Sequence, residues 1–78
     1  MLKENYQIYL IVGRNIKKHR KLKGLTQHEL SLKTGYSYSY IRKIEGPNCP
    51  KNFSLLTLYI IAQSLDINIQ CLFEDNDI

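Results

Sequence analysis

Leu25–Gly46, LTQHELSLKTGYSYSYIRKIEG, reads as two short helices joined by a tight glycine turn. Thr26 is placed to cap the first. Its hydroxyl accepts an otherwise orphaned backbone N–H, and Glu29, three residues on, completes a capping box. Leu25, just before the cap, is a candidate hydrophobic staple, and Leu30 is the apolar residue of the inward face. Gly35 ends this helix, because a left-handed residue after the last turn suits glycine. Ser37 caps the second helix, with Ile41 and Ile44 on one side and Tyr38, Ser39, Arg42 and Lys43 on the other. A short helix, a glycine turn and a second helix showing polar and basic side chains form a helix-turn-helix. That is the unit whose second helix enters the major groove of DNA.

The rest of the 78 residues supplies helices for this unit to pack against. Upstream, Ile8, Val12, Ile16 and either His19 or Arg20 recur at helical spacing, which predicts a helix over roughly residues 5–23. Gly13 weakens it by about 1 kcal/mol relative to alanine, so a start just after Gly13 is the alternative. Arg14, Lys17, Lys18, Lys21 and Lys23 occupy the outer face, and Gly24 ends the element. Downstream, residues 47–53 hold two prolines and two asparagines and read as an irregular loop. Ser54 caps a fourth helix with Leu55, Leu58, Ile61, Ala62 and Leu65 inward. Asp66 breaks it, and Asn68 caps a short last helix carrying Cys71, Leu72 and Phe73. The expected fold is all-α, a compact five-helix bundle forming one domain over residues 1–78. A domain this small buries a modest share of its surface, so it relies on good helix packing or a second subunit.

Charge is unevenly placed. Residues 1–51 carry all 11 Lys and Arg against Glu4, Glu29 and Glu45, a net +8. Residues 52–78 carry Asp66, Glu74, Asp75 and Asp77 and no base, a net −4. Taken alone, a basic run is as readily a solvated helix face; beside a helix-turn-helix it points to phosphate contact. Cys49 and Cys71 are too far apart for a metal-binding pair, and His19 and His28 complete no ligand set, so neither metal nor cofactor is expected. Free thiols in a reducing cytoplasm are the reading preferred over a single disulfide, since no signal peptide is seen. No apolar run approaches membrane-spanning length. Nor does any nucleophile–base pair, carboxylate pair or phosphate-cradling loop suggest an enzyme.

In GLTQHEL (24–30), GYSYSYIRKIEG (35–46) and SLLTLYIIAQSLDINIQCLF (54–73), the chain resembles the Cro and phage-repressor type of helix-turn-helix domain, the xenobiotic-response-element family. The resemblance covers residues 12–73. It implies a five-helix, lambda-repressor-like DNA-binding fold that works as a homodimer on a palindromic operator. It also implies that Gln27 grips a phosphate and braces the recognition helix, and that Tyr38, Ser39 and Lys43, with Arg42 beside them, read base edges. Tyr40 matches a position that touches the sugar-phosphate backbone. Arg20 and Glu45 match a partly buried salt bridge between the first helix and the end of the recognition helix. The chain departs from the family at His19 (leucine), Tyr36 (valine or isoleucine), Ser31 (alanine) and Phe53 (proline), and its loop after Glu45 is about two residues longer.

From the side chains themselves, Lys43 can donate to guanine O6 or N7, and Arg42 can do so bidentately. Tyr38 can pack on a thymine methyl, and Ser39 can pair with several bases. Lys17, Lys21, Lys23, Lys33 and Lys51 are the candidate phosphate contacts. Tyr36 is read as core-facing, Tyr40 equally as a phosphate contact or a packing residue, His19 as a half-buried packing residue and His28 as solvated. Two subunits joined by their last helices would place two recognition helices about one DNA turn, roughly 34 Å, apart. Tyr59, Ile67, Ile69, Leu72 and Phe73 are the candidate dimer interface. The expected function is a sequence-specific DNA-binding transcriptional regulator, a repressor. The alternative is a protein-interaction module, such as an antitoxin whose main task is binding a partner protein.

Overall fold

A computed structural model describes residues 7–47 and 53–75. Within them the chain forms α1 (Gln7–Leu22), α2 (Gln27–Thr34), α3 (Tyr38–Glu45) and α4 (Leu55–Ser64), followed by a 3₁₀ segment (Ile69–Phe73), with no strand among the described residues. Four α-helices and a 3₁₀ turn thus stand where five helices were expected. Asn68 occupies the cap position of the last element, but its side chain makes no capping hydrogen bond. The element is five residues long, too short for α-helical pairing to repay its nucleation.

The caps follow the sequence. Thr26 Oγ1 accepts from the Glu29 amide at 3.0 Å, and the Thr26 amide donates to Glu29 Oε1 at 2.8 Å. Gly35 sits at φ +83°, and its amide closes the end of α2 on the Ser31 carbonyl. Ser37 and Ser54 accept from the amides of Tyr40 and Thr57. Asp66, at φ +58°, is the left-handed residue that terminates the α4 region. α1 runs without a break through Gly13, which is buried. Its expected residues 5 and 6 lie outside the described residues, as do Cys49 and Lys51 in the loop.

The core is built from every element. Val12 and Ile16 of α1 meet Leu30 of α2, Ile41 and Ile44 of α3, Leu58, Ile61 and Ala62 of α4, then Leu65 and Leu72. Of the two candidates for the first helix's inward row, Arg20 is the buried one and His19 is half-buried. Tyr36 is half-buried as expected, and its hydroxyl donates to Thr57 Oγ1 at 3.0 Å. Two assignments change. Leu55 is 70% exposed and Ile8 39% exposed, although both carry inward spacing. They lie at the first turns of their helices, beyond the edge of the core, and line an open groove of about 210 Å³ with Tyr9, Phe53 and Phe73. Leu72 is 0% exposed. It is part of this protomer's own core and has no surface to offer a second subunit.

Asn15 gives no signal in the sequence. It is buried on α1, and its Nδ2 donates to the carbonyls of Leu72 at 2.9 Å and Glu74 at 2.7 Å. One amide therefore anchors the chain's last described turn to the first helix, satisfying carbonyls that the short 3₁₀ segment leaves open. His19 shows the opposite case. Its Nε2 is buried without a hydrogen-bond partner. An unmet buried polar atom costs about 1–3 kcal/mol. His19→Leu is therefore expected to stabilise the fold by about 1 kcal/mol, read as a rise of roughly 4–8 °C in melting temperature for a domain of this size. An unchanged or lower melting temperature would show that the imidazole meets a need the leucine cannot.

Candidate nucleic-acid interface

Glu45, the last residue of α3, organises the site. Its side chain is 2% exposed. Arg20 of α1 donates to it twice, Nε to Oε2 at 2.7 Å and a terminal guanidinium nitrogen to Oε1 at 3.0 Å. Gln27, the first residue of α2, donates to Oε1 at 3.0 Å. The other guanidinium nitrogen of Arg20 donates to the Leu25 carbonyl at 2.7 Å, in the turn between α1 and α2. A single carboxylate thus ties three helices together and fixes the axis of α3 relative to α1 and α2. A bidentate, charge-assisted pair suits this role because both bond directions are set by planar groups. Gln27 is accordingly seen bracing the recognition helix.

The opposite face of α3 is open. Ile41 and Ile44 are fully buried, while Tyr38, Ser39, Arg42 and Lys43 are exposed. Ser39, Arg42 and Lys43 line a shallow hollow of about 280 Å³ with Gly46 and Pro47. The Arg42 guanidinium carbon lies 5.6 Å from the centre of the Tyr38 ring, one helical turn away. Tyr38 also meets His28 of α2, ring centres 5.3 Å apart at 49°. Tyr40 is half-buried, 5.2 Å from the Tyr36 ring. Four residues drawn from the sequence are thereby brought onto one exposed strip, held by a buried anchor at its end.

The lysines separate by position. Arg14 lines a second hollow with Glu45, Gly46 and Pro47, so this part of α1 lies beside the end of α3. Lys17 and Lys21, three and seven residues further on, are exposed and continue the same flank. In the sequence Arg14 is simply one member of a charged face; its nearness to α3 depends on a helix crossing that spacing cannot reveal. Lys23 is exposed in the turn after α1. Lys33 is exposed as well, but it lies about 140° around α2 from His28, the residue that touches Tyr38. The structure does not bring Lys33 to the α3 strip.

A helix-turn-helix with a braced second helix and a basic flank defines a class, the DNA-binding transcriptional regulators, whose members are not enzymes. The helix-turn-helix family profile matches residues 16–70, and the chain belongs to this family, in its xenobiotic-response-element branch. The chain is 36% identical over 58 residues to the uncharacterized HTH-type transcriptional regulator y4dJ of Sinorhizobium fredii, covering 74% of this chain and 73% of that one. It is 34% identical over 67 residues to the HTH-type transcriptional regulator SinR of Bacillus licheniformis, covering 86% of this chain but 60% of SinR. Among solved structures, the restriction-modification controller protein C.AhdI of Aeromonas hydrophila matches with a TM-score of 0.77 at 31% identity, over 87% of this chain and all of that one. SinR in complex with DNA matches with a TM-score of 0.73 at 35% identity, over 81% and 98%. No described helix is long and apolar enough to cross a membrane.

Proposed function

We propose that the chain is a repressor that binds a palindromic operator as a homodimer, with α3 in the major groove of each half-site. The observation that carries this reading is the Glu45 anchor, which holds a helix whose outward face is Tyr38, Ser39, Arg42 and Lys43 and nothing apolar beyond Tyr38. On this reading Arg42 and Lys43 donate to base edges, while Tyr38 and Ser39 complete the contact. Gln27, Tyr40, Lys17, Lys21 and Lys23 contact phosphates, joined by Arg14. The SinR structure solved with DNA supports the mode, since this chain matches nearly all of that domain.

One recognition helix makes a weak site, and two set a spacing. Tyr59 and Phe73 remain as interface candidates, both partly exposed. Leu55 and Leu56 join them, exposed at the start of α4. Ile67 and Ile69 are half-buried and contribute less. The acidic residues Glu74 and Asp75 then lie near the joint rather than against DNA.

Fluorescence polarisation tests the reading, with duplex from upstream of the protein's own gene against a scrambled duplex at two salt concentrations. Selective upstream binding that steepens with protein concentration, as a dimer requires, is the expected result. Equal, salt-sensitive binding to both duplexes would refute the sequence-reading regulator.

A further inference from the structure

The first two residues of α2 touch both ends of α3. Gln27 reaches its last residue through the Glu45 carboxylate, and His28 reaches its first through the Tyr38 ring. The Gln27 contact sets where the helix lies. The His28 contact sets something different, because Tyr38 is a surface side chain, 43% exposed, with no core around it to fix its rotamer. We propose that His28 is a positioning residue for base reading: it holds the Tyr38 ring in the orientation on which the Arg42 guanidinium stacks. The proposal rests on the DNA-reading role of α3 given above and names a further residue that determines its specificity.

The geometry supports a three-part stack. The His28 and Tyr38 rings lie 5.3 Å apart at 49°, within the range where tilted aromatic pairs attract. Arg42 lies 5.6 Å from the Tyr38 ring centre, within cation–π range. Tyr38 is thus approached by α2 through His28 and by its own helix through Arg42. An arginine whose carbon sits over a ring keeps its N–H edge free, and that edge is what recognises guanine bidentately. If the ring turns away, the guanidinium loses its platform and samples many rotamers. The charge remains, so attraction to phosphate remains. The donors no longer hold a fixed direction, and discrimination between bases goes with it.

His28 itself is exposed and belongs to no core cluster, so replacing it leaves the packing of α2 intact. That separates the proposal from a merely structural role. Two readouts test it, with Leu32→Ala as the control at a nearby exposed position on α2. In the DNA-free protein, NMR is expected to show the Arg42 side-chain protons shifted upfield by the Tyr38 ring, with His28→Ala removing at least half of that shift, His28→Phe keeping it and Leu32→Ala leaving it unchanged. In polarisation titrations, His28→Ala is expected to lower the ratio of affinities for the upstream and scrambled duplexes about three- to tenfold. His28→Phe restores that ratio to within about twofold, while affinity for the scrambled duplex stays constant throughout. If either readout is unchanged in His28→Ala, or if His28→Phe behaves like alanine, the proposal is overturned. A wild-type protein that fails to discriminate the duplexes would instead overturn the regulator reading, and the NMR comparison would still decide the place of His28.

Discussion

Glu45→Ala is expected to cost about 3–5 kcal/mol of folding free energy, because it leaves the Arg20 guanidinium buried and uncompensated. In a small domain whose total stability is about 5–15 kcal/mol, that is enough to unfold a sizeable fraction of molecules at physiological temperature. The cost is a desolvation penalty more than the removal of one attraction. Three donated hydrogen bonds end on this carboxylate, and two of them come from a charged group that is itself almost out of water. Replacing both partners by apolar residues of similar volume, Arg20→Met with Glu45→Leu, removes the buried charges together and is expected to recover most of that stability. Stability and positioning then separate. The double variant folds, yet its α3 is no longer tied to Gln27 and the Leu25 carbonyl, so its preference for upstream over scrambled duplex falls. Urea titration measures the first effect and polarisation the second. A single variant destabilised by less than about 1 kcal/mol would mean that water reaches Arg20 in solution, and the anchor would lose its claim to rigidity.

What the sequence revealed follows from which interactions are local. The capping box of α2, the left-handed Gly35 and the two isoleucines of α3 all depend on residues within four positions of one another, and the structure shows them where spacing placed them. The Arg20–Glu45 pair spans 25 residues, and only the family resemblance pointed to it. Asn15 holds carbonyls 57 and 59 residues away, and an asparagine inside a helix gives no sign of such a partner. Leu55 and Ile8 failed for a related reason. Periodicity says which side of a helix is apolar, but not where along its length the neighbouring helices stop covering it. The same limit applies to His28. From the sequence it is a solvated residue on a short helix; only the crossing of α2 with α3 brings it to Tyr38.

Arg42→Lys is expected to weaken discrimination between bases by about 1–3 kcal/mol per recognition helix while leaving affinity for the scrambled duplex nearly unchanged. The substitution keeps the positive charge. It removes the planar fork that can grip guanine O6 and N7 together, and it replaces a group that stacks well on Tyr38 by a compact, strongly hydrated ammonium. A phosphate-binding Arg42 would behave in the opposite way. Lysine serves a phosphate as well as arginine does, so selectivity would survive Arg42→Lys. Arg42→Ala would then reduce the slope of log affinity against log salt by about 0.9 per subunit, because one phosphate in each half-site would keep its counterion. Measuring both variants across a salt series therefore distinguishes reading from anchoring at one position. Lys43 supplies the comparison, since it neighbours Arg42 on the same hollow, whose lining contains no aromatic ring. Lys43→Arg adds a fork that no ring orients, and it is expected to tighten binding to both duplexes alike. If it sharpened selectivity as much as Arg42→Lys blunts it, charge and donor number alone would explain the reading, and the Tyr38 platform would be unnecessary.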